Sequence, residues 1–206
     1  MANQNRELPI GYTRCAYLES SGTQWIDTQW KFNTKNLRIV SRVYFRFTGN
    51  IAPAAKYNAQ YYGVTPYNSD SYPHMRVLFG NNVLNIKSIS LQNTWIDLEL
   101  KTESQRAYIN CNGQYAERTY NGDSVSPLTS YIFGRNTDGV PTLLEKSKYA
   151  SLQIWNSGVL QLDYIPCIDK SGRPCMFDTV TKQPFYNRGT GEFGYELMGG
   201  TYVEPV

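Results

Sequence analysis

The chain has 206 residues, of which 41% are hydrophobic and 14% aromatic, with 17 tyrosines and a formal net charge of +3. This length suits one large all-β domain, and it allows enough surface to be buried that the fold needs neither a metal nor a disulfide. The small net charge argues against nucleic acid as a partner, and no stretch is long and apolar enough to cross a bilayer.

The chain opens on a polar segment, residues 1–7, which we predict to be a flexible stub. It lacks the apolar core of a signal peptide, so we expect none. Residues 37–47 follow with apolar side chains at every second position and a largely basic set between them. This period of two predicts a strand with one buried face.

A second strand is predicted at residues 95–101, where Ile96, Leu98 and Leu100 alternate with charged residues. No long window spaces its apolar residues by three and four, as a helix would. Glycine and asparagine mark tight turns between the strands and predict hairpins. The turn signals are Asn112-Gly113, Asn121-Gly122-Asp123, Asp138-Gly139 and Asn156-Ser157-Gly158.

Motifs near the two ends of the chain carry a resemblance to a known family. The first lies in residues 8–28 and includes Tyr17-Leu18-Glu19-Ser20-Ser21-Gly22-Thr23-Gln24-Trp25-Ile26-Asp27-Thr28. The others are residues 162–167, 172–178 and 185–191. Together they resemble concanavalin A-like, or laminin-G-like, jelly-roll domains of bacteriophage particles and gut-bacterial surface proteins.

The resemblance implies an all-β fold, a concanavalin A-like jelly-roll sandwich of two antiparallel sheets. It covers residues 8–196, and the hairpin of residues 95–113 is similar to the central hairpin of laminin-G-like domains. The predicted organisation is therefore a stub over 1–7, one jelly-roll domain over 8–196 and a flexible or docking tail over 197–206.

Catalytic patterns are weak. Some jelly-roll glycosidases carry carboxylates at alternate positions of one strand, because retaining hydrolysis needs two carboxyls about 5 Å apart. Here Trp95 occupies the first of those positions, so Asp97 and Glu99 are better interpreted as the solvated side of a strand. His74 is the only histidine, and nothing in the sequence pairs it with a nucleophile. We predict no catalytic residues and no enzyme activity.

No cofactor or metal site is predicted. Residues 136–139 and 121–123 offer the oxygen ligands that calcium prefers, but turn-forming Asn and Asp explain both segments. The four cysteines are Cys15, Cys111, Cys167 and Cys175. Buried small hydrophobic side chains are the favoured interpretation, while a bridge between Cys167 and Cys175 stays open.

The candidate binding segment is tyrosine-rich and spans residues 57–74. Its tyrosines lie among small polar residues, a mixture that gives large contact areas and adaptable hydrogen bonds. The rings could stack on sugars, fill a protein interface or pack on the domain's own sheet. The predicted ligand-binding residues are Tyr57, Tyr61, Tyr62, Tyr67 and Tyr72.

A basic stripe is formed by Arg38, Arg42 and Arg46. It could contact phosphates, but Asp97 and Glu99 would neutralise it if they share its face. We favour an ordinary charged sheet face.

Two functions follow from the resemblance. The first is a non-enzymatic virion structural protein, a capsid decoration or fibre or tail component that contacts other virion proteins and leaves the host cytoplasm on lysis. A symmetric homo-oligomer is open for it. The alternative is a carbohydrate-binding module of a bacterial surface protein that recognises host or gut glycans. Fold does not decide between them.

Overall fold

The computed structural model describes residues 6–45, 50, 52–69, 72–87 and 93–206, which form strands and turns without any helix. The all-β prediction is thus confirmed over these ranges, and they contain no helix that could span a membrane. The strands are β1 (Thr13–Glu19), β2 (Ile26–Asn33), β3 (Leu37–Phe45), β4 (Ala55–Tyr57), β5 (Gln60–Ser69), β6 (Tyr72–Gly80), β7 (Asn82–Lys87), β8 (Thr94–Glu103), β9 (Arg106–Cys111), β10 (Gln114–Thr119), β11 (Val125–Ile132), β12 (Arg135–Thr137), β13 (Val140–Thr142), β14 (Ser147–Asn156), β15 (Val159–Ile168), β16 (Pro174–Asp178), β17 (Gln183–Tyr186), β18 (Gly194–Leu197) and β19 (Tyr202–Val203).

The larger sheet is antiparallel and has the order β10-β9-β8-β3-β14-β1-β15-β16-β17. β18 pairs with β1, and β19 pairs with β18. β1 is the branch point of this sheet, because Glu19 pairs with Lys148 of β14 while Arg14 pairs with Cys167 of β15. The strands that carry the first and second sequence motifs therefore lie side by side.

A second sheet has the order β13-β12-β4-β5-β6-β7, and β11 pairs separately with β2. The predicted antiparallel arrangement holds for these pairs except one, because β12 and β4 run parallel. This contact joins residues that are distant in the chain, with Asn136 opposite Ala55.

Side chains from both sheets form one hydrophobic core, which gives the molecule the character of a β-sandwich. The Phe32 ring of β2 lies 5.8 Å from Tyr62 and 5.9 Å from Phe79. Phe133 packs edge-on against Tyr149 of the larger sheet, with centroids 4.8 Å apart. All five side chains are nearly or fully buried, and burial of such apolar area is the dominant stabilising contribution.

The predicted strands and hairpins at the centre of the larger sheet are confirmed. Leu37, Ile39 and Val43 of β3 are buried, as is Ser41, while Arg38, Val40 and Arg42 between them are more exposed. The turn between β9 and β10 has positive φ angles of 51° at Asn112 and 82° at Gly113. Such angles suit asparagine and glycine in a tight hairpin.

The chain ends differ from the predicted boundaries. Residues 1–5 of the predicted stub lie outside the described ranges, but Arg6 donates to Asp163 and belongs to the domain. The segment 197–206 docks on its own domain, since β19 pairs with β18 and Val206 exchanges two backbone hydrogen bonds with Glu192. The domain therefore extends beyond 8–196 in both directions.

Candidate functional site

The tyrosine-rich segment forms the hairpin of β5 and β6, with Tyr57 at the end of β4. Tyr57 is 40% exposed and Tyr61 is half-buried, so both reach the surface. Tyr67 pairs with His74 and Tyr72 pairs with Ser69 through the backbone. The side chains of Tyr67, Tyr72 and His74 lie outside the described part of the structure.

Tyr62 requires a correction, because it belongs to the core and not to a binding surface. Its side chain is 1% exposed, and its hydroxyl donates to the backbone oxygen of Val125 at 3.2 Å. Successive side chains of a strand point to opposite faces, so Tyr61 and Tyr62 cannot both face solvent.

Two cations surround the Tyr61 ring. The Lys56 ammonium lies 5.1 Å from the ring centroid, and the Arg135 guanidinium lies 5.3 Å from it. Both distances allow cation–π attraction. Burial lowers the pKa of Arg135, while the neighbouring Tyr61 opposes that change. The surface around Tyr61 is therefore both aromatic and basic.

Exposed apolar side chains gather where the second sheet ends at β13. Val140 is 60% exposed, Leu143 50% and Leu144 36%. The backbone amide of Asn58 donates to Asp138 Oδ1 at 2.8 Å, which fixes the turn after Tyr57 beside the β12–β13 turn. We call Tyr57, Val140, Leu143 and Leu144 the β13 edge.

The basic stripe is neutralised as predicted, over the part that the structure describes. Arg38 pairs with Glu99 at 2.7 Å and Arg42 with Asp97 at 2.9 Å. Arg46 lies outside the described residues. Because each carboxylate is bonded to a guanidinium, Asp97 and Glu99 are partners in ion pairs on a charged sheet face.

A polar cleft of about 480 Å³ lies between β2 and the region of β16 and β17. The sequence analysis did not find it. We call it the arginine cleft, and its lining residues are Asp27, Gln29, Arg173, Thr181, Gln183, Pro184, Phe185, Tyr186, Asn187 and Arg188.

One wall of the arginine cleft contains an irregularity in β2. Gln29 has a φ of 57°, which is rare for a non-glycine residue in a strand. The register with β11 shifts here, between the Lys31–Thr129 and Asp27–Tyr131 pairs, as in a β-bulge. The amide of Gln29 donates to Asp27 Oδ1 at 2.9 Å, and the Gln29 side chain is exposed.

The segment that presents Arg188 is fixed to the start of β2. Asn187 Oδ1 accepts hydrogen bonds from the amides of Trp25 at 3.2 Å and Gly189 at 2.7 Å. The Arg188 amide donates to the Trp25 carbonyl at 2.9 Å. Gly189 passes so close to Thr23 that a Cβ would lie 1.9 Å from the Thr23 carbonyl oxygen. Glycine is therefore required at this position.

The opposite wall is fixed by Asp169. Its Oδ2 accepts a hydrogen bond from the Tyr186 hydroxyl at 2.7 Å, and the Arg173 guanidinium lies 4.4 Å above the Tyr186 ring. Burial by itself would raise the pKa of the Asp169 carboxyl. Hydrogen bonds from Ser171, Tyr186 and the Arg173 amide outweigh this and hold the pKa well below its usual range.

Six of the ten cleft residues come from the sequence motifs given above, but nothing in the sequence brings them together. Asp27 lies in the first motif, Arg173 in the third and Arg188 in the fourth. No glycine or proline stands at or next to Gln29 to indicate a bulge there. The site could be identified only from the structure, in which β2, β16 and β17 lie close together.

The oxygen-rich turns use their side chains internally. Asn136 Oδ1 accepts from the Gly139 amide at 2.9 Å, and Asp138 Oδ1 accepts from Asn58. Within the described ranges, no group of three or more His, Cys, Asp or Glu side chains is arranged to hold a metal ion.

The cysteines are free and buried, so the favoured interpretation is confirmed. Cys167 and Cys175 face each other across β15 and β16, with their sulfur atoms 3.5 Å apart. Burial raises the pKa of Cys15 and of Cys111 to about 12. These thiols are therefore protonated at neutral pH and poor nucleophiles.

No model of a protein family matches the chain, and no curated protein matches it either. Its function is therefore argued from the sequence motifs and the geometry above.

Proposed function

We propose that this chain is a non-enzymatic structural protein of a bacteriophage particle, a capsid decoration or a fibre or tail component. We further propose that its sandwich is a concanavalin A-like jelly roll. The motifs that resemble that family support the proposed jelly roll. Strand β1, which carries part of the first motif, pairs with β15 and β18. The backbone amide of Arg188 donates to the Trp25 carbonyl, which joins the last motif to the first. The residues behind the resemblance act together as one structural unit.

The observation that carries the structural role is the β13 edge. An edge strand offers unpaired backbone groups, and a group of exposed apolar side chains beside it favours association. Val140 and Leu143 are at least half exposed, and Tyr57 adds an aromatic ring. In this proposal another virion protein covers the β13 edge.

The absence of enzyme activity is part of the same proposal. Trp95 stands where a catalytic carboxylate would be needed, and Asp97 and Glu99 form ion pairs with Arg42 and Arg38. Each carboxylate is engaged by a guanidinium, whereas retaining hydrolysis needs two carboxyls that are placed to act on the substrate. This supports binding over hydrolysis.

Carbohydrate binding is the second candidate function, as a module of a bacterial surface protein or as an added property of a virion. The 40% exposure of Tyr57 favours it, because an exposed aromatic ring can stack on a sugar. Tyr61 lies on the following strand beside Lys56 and Arg135. Host or gut glycans are the proposed ligands.

Mass spectrometry of purified virions from a phage that carries this gene tests the structural role. We expect the protein at many copies per particle, and fewer copies for Val140→Lys, because a charge would oppose burial of the β13 edge. Val159→Lys is the matched control, since Val159 is 61% exposed and lies in β15. Absence of the wild-type protein from the particle would contradict the proposal. Equal copy numbers for the two variants would show that the β13 edge is not the surface that contacts other virion proteins.

A further inference from the structure

We propose that the arginine cleft binds a sugar that carries a carboxylate, such as a uronic acid or a sialic acid unit of a glycan. This site is separate from the β13 edge and does not depend on a virion location. Asp27 is the one carboxylate among the described residues that line it, against two guanidiniums from Arg173 and Arg188.

The two guanidiniums are available to a ligand. Arg188 is exposed and forms no ion pair with any residue that the structure describes. Arg173 has Glu192 at 4.0 Å, a much looser contact than the 2.7 Å pair of Arg38 and Glu99. A planar guanidinium can bind a carboxylate through two parallel hydrogen bonds.

The other lining residues suit sugar hydroxyls and the apolar face of a sugar ring. Gln29 and Gln183 are exposed, and an amide can both donate to and accept from a hydroxyl. Phe185 packs against Tyr164 with centroids 5.1 Å apart, which gives the cleft a firm aromatic surface. Phe185 and Tyr186 supply the aromatic part of a lining that is otherwise mostly polar, which suits a ligand rich in hydroxyls.

The size of the cleft limits the ligand. Its volume of about 480 Å³ lies within the range of small-molecule sites, roughly 300–1,000 Å³. That volume suits one or two sugar units. The cleft would therefore bind a terminal or single acidic sugar, and the rest of the glycan would stay outside it.

The cleft is also held in place before a ligand arrives. Asn187 and Gly189 fix the segment that carries Arg188, and Asp169 fixes the Tyr186 ring beneath Arg173. Binding to groups that are already positioned costs less conformational entropy. The fixed positions of these groups favour a specific binding site over two surface arginines that lie close together by coincidence.

Calorimetric titration of the full chain tests the inference, with digalacturonic acid and sialyllactose as acidic probes and digalactose and lactose as their neutral counterparts. We expect at least one acidic probe to bind at least tenfold more tightly than its neutral counterpart. Arg188→Gln should weaken that binding at least tenfold. Arg118→Gln is the matched control, because Arg118 is exposed on β10, away from the cleft, and should leave it unchanged.

Equal affinity for acidic and neutral probes, or no binding of any of them, would overturn the inference. So would an unchanged affinity in Arg188→Gln, or inorganic phosphate binding as tightly as the acidic sugars. Thermal unfolding of both variants checks that the fold is intact. The virion copy number of Arg188→Gln separates the two proposals, because this variant should assemble normally even if it binds no sugar.

Discussion

Gly189 shows how one residue without a side chain determines the geometry of the arginine cleft. We expect Gly189→Ala to lower the free energy of unfolding by roughly 1–3 kcal/mol, the usual cost of overpacking, because its Cβ would overlap the Thr23 carbonyl. Gly199→Ala is the control, since a Cβ there would meet nothing within 4 Å and should change stability by less than about 0.5 kcal/mol. Urea unfolding measures both, and equal midpoints would contradict the close approach.

At the scale of single residues, the sequence predicted which types of side chain matter better than it predicted where each of them lies in the fold. Tyr61 and Tyr62 look alike in the sequence, yet one reaches the surface and the other lies in the core. Strand register decides between them, and a shift of one residue would exchange their roles. Gln29 could not have been singled out at all, because its positive φ is imposed by the bulge against β11 and not by its own chemistry.

At the scale of elements, one buried hydroxyl helps to hold the passage from β2 to β3. Thr102 of β8 accepts a hydrogen bond from the Leu37 amide at 2.8 Å and donates one to the Thr34 carbonyl. It thereby fixes the connection between the β2–β11 pair and the larger sheet.

We expect Thr102→Val, which keeps the shape of the side chain, to lower the free energy of unfolding by about 1–3 kcal/mol, because the buried Leu37 amide loses its acceptor. Thr119→Val is the matched control, since Thr119 is exposed on β10. Its change should stay within about 0.5 kcal/mol. Thermal or urea unfolding would show the difference. If Thr102→Val were as stable as the control, the hydrogen bond from the Leu37 amide would not contribute to stability.

The elements that the sequence predicted well are those with local partners. β9 and β10 form a hairpin at Asn112-Gly113, and β14 and β15 form another at Asn156-Ser157-Gly158, so the turn residues were sufficient to find them. The parallel contact of β12 with β4 was missed, because its partners are far apart in the chain and both strands are only three residues long. Strands this short leave no periodic signal.

For the whole molecule, the buried thiols make unfolding visible. All four cysteines are at most 2% exposed, and burial raises the pKa of Cys111 to about 12. We expect a thiol reagent at pH 8 to label the native protein very slowly and to label all four positions once urea unfolds it. Because exchange requires exposed thiolate, the labelling midpoint should coincide with the loss of strand signal in circular dichroism. Rapid labelling without urea would contradict the burial described here.

The pairing of β1 with β14, β15 and β18 also has a consequence for how the protein is made. A ribosome completes β1 long before Lys148, Cys167 or Leu197 has been added, so these edges of β1 wait without their native partners. Contacts between such distant residues slow folding, and an unpaired strand invites association with other chains. The larger sheet therefore closes only after β18 has been made, and many nascent copies on one messenger are exposed to mutual aggregation until then.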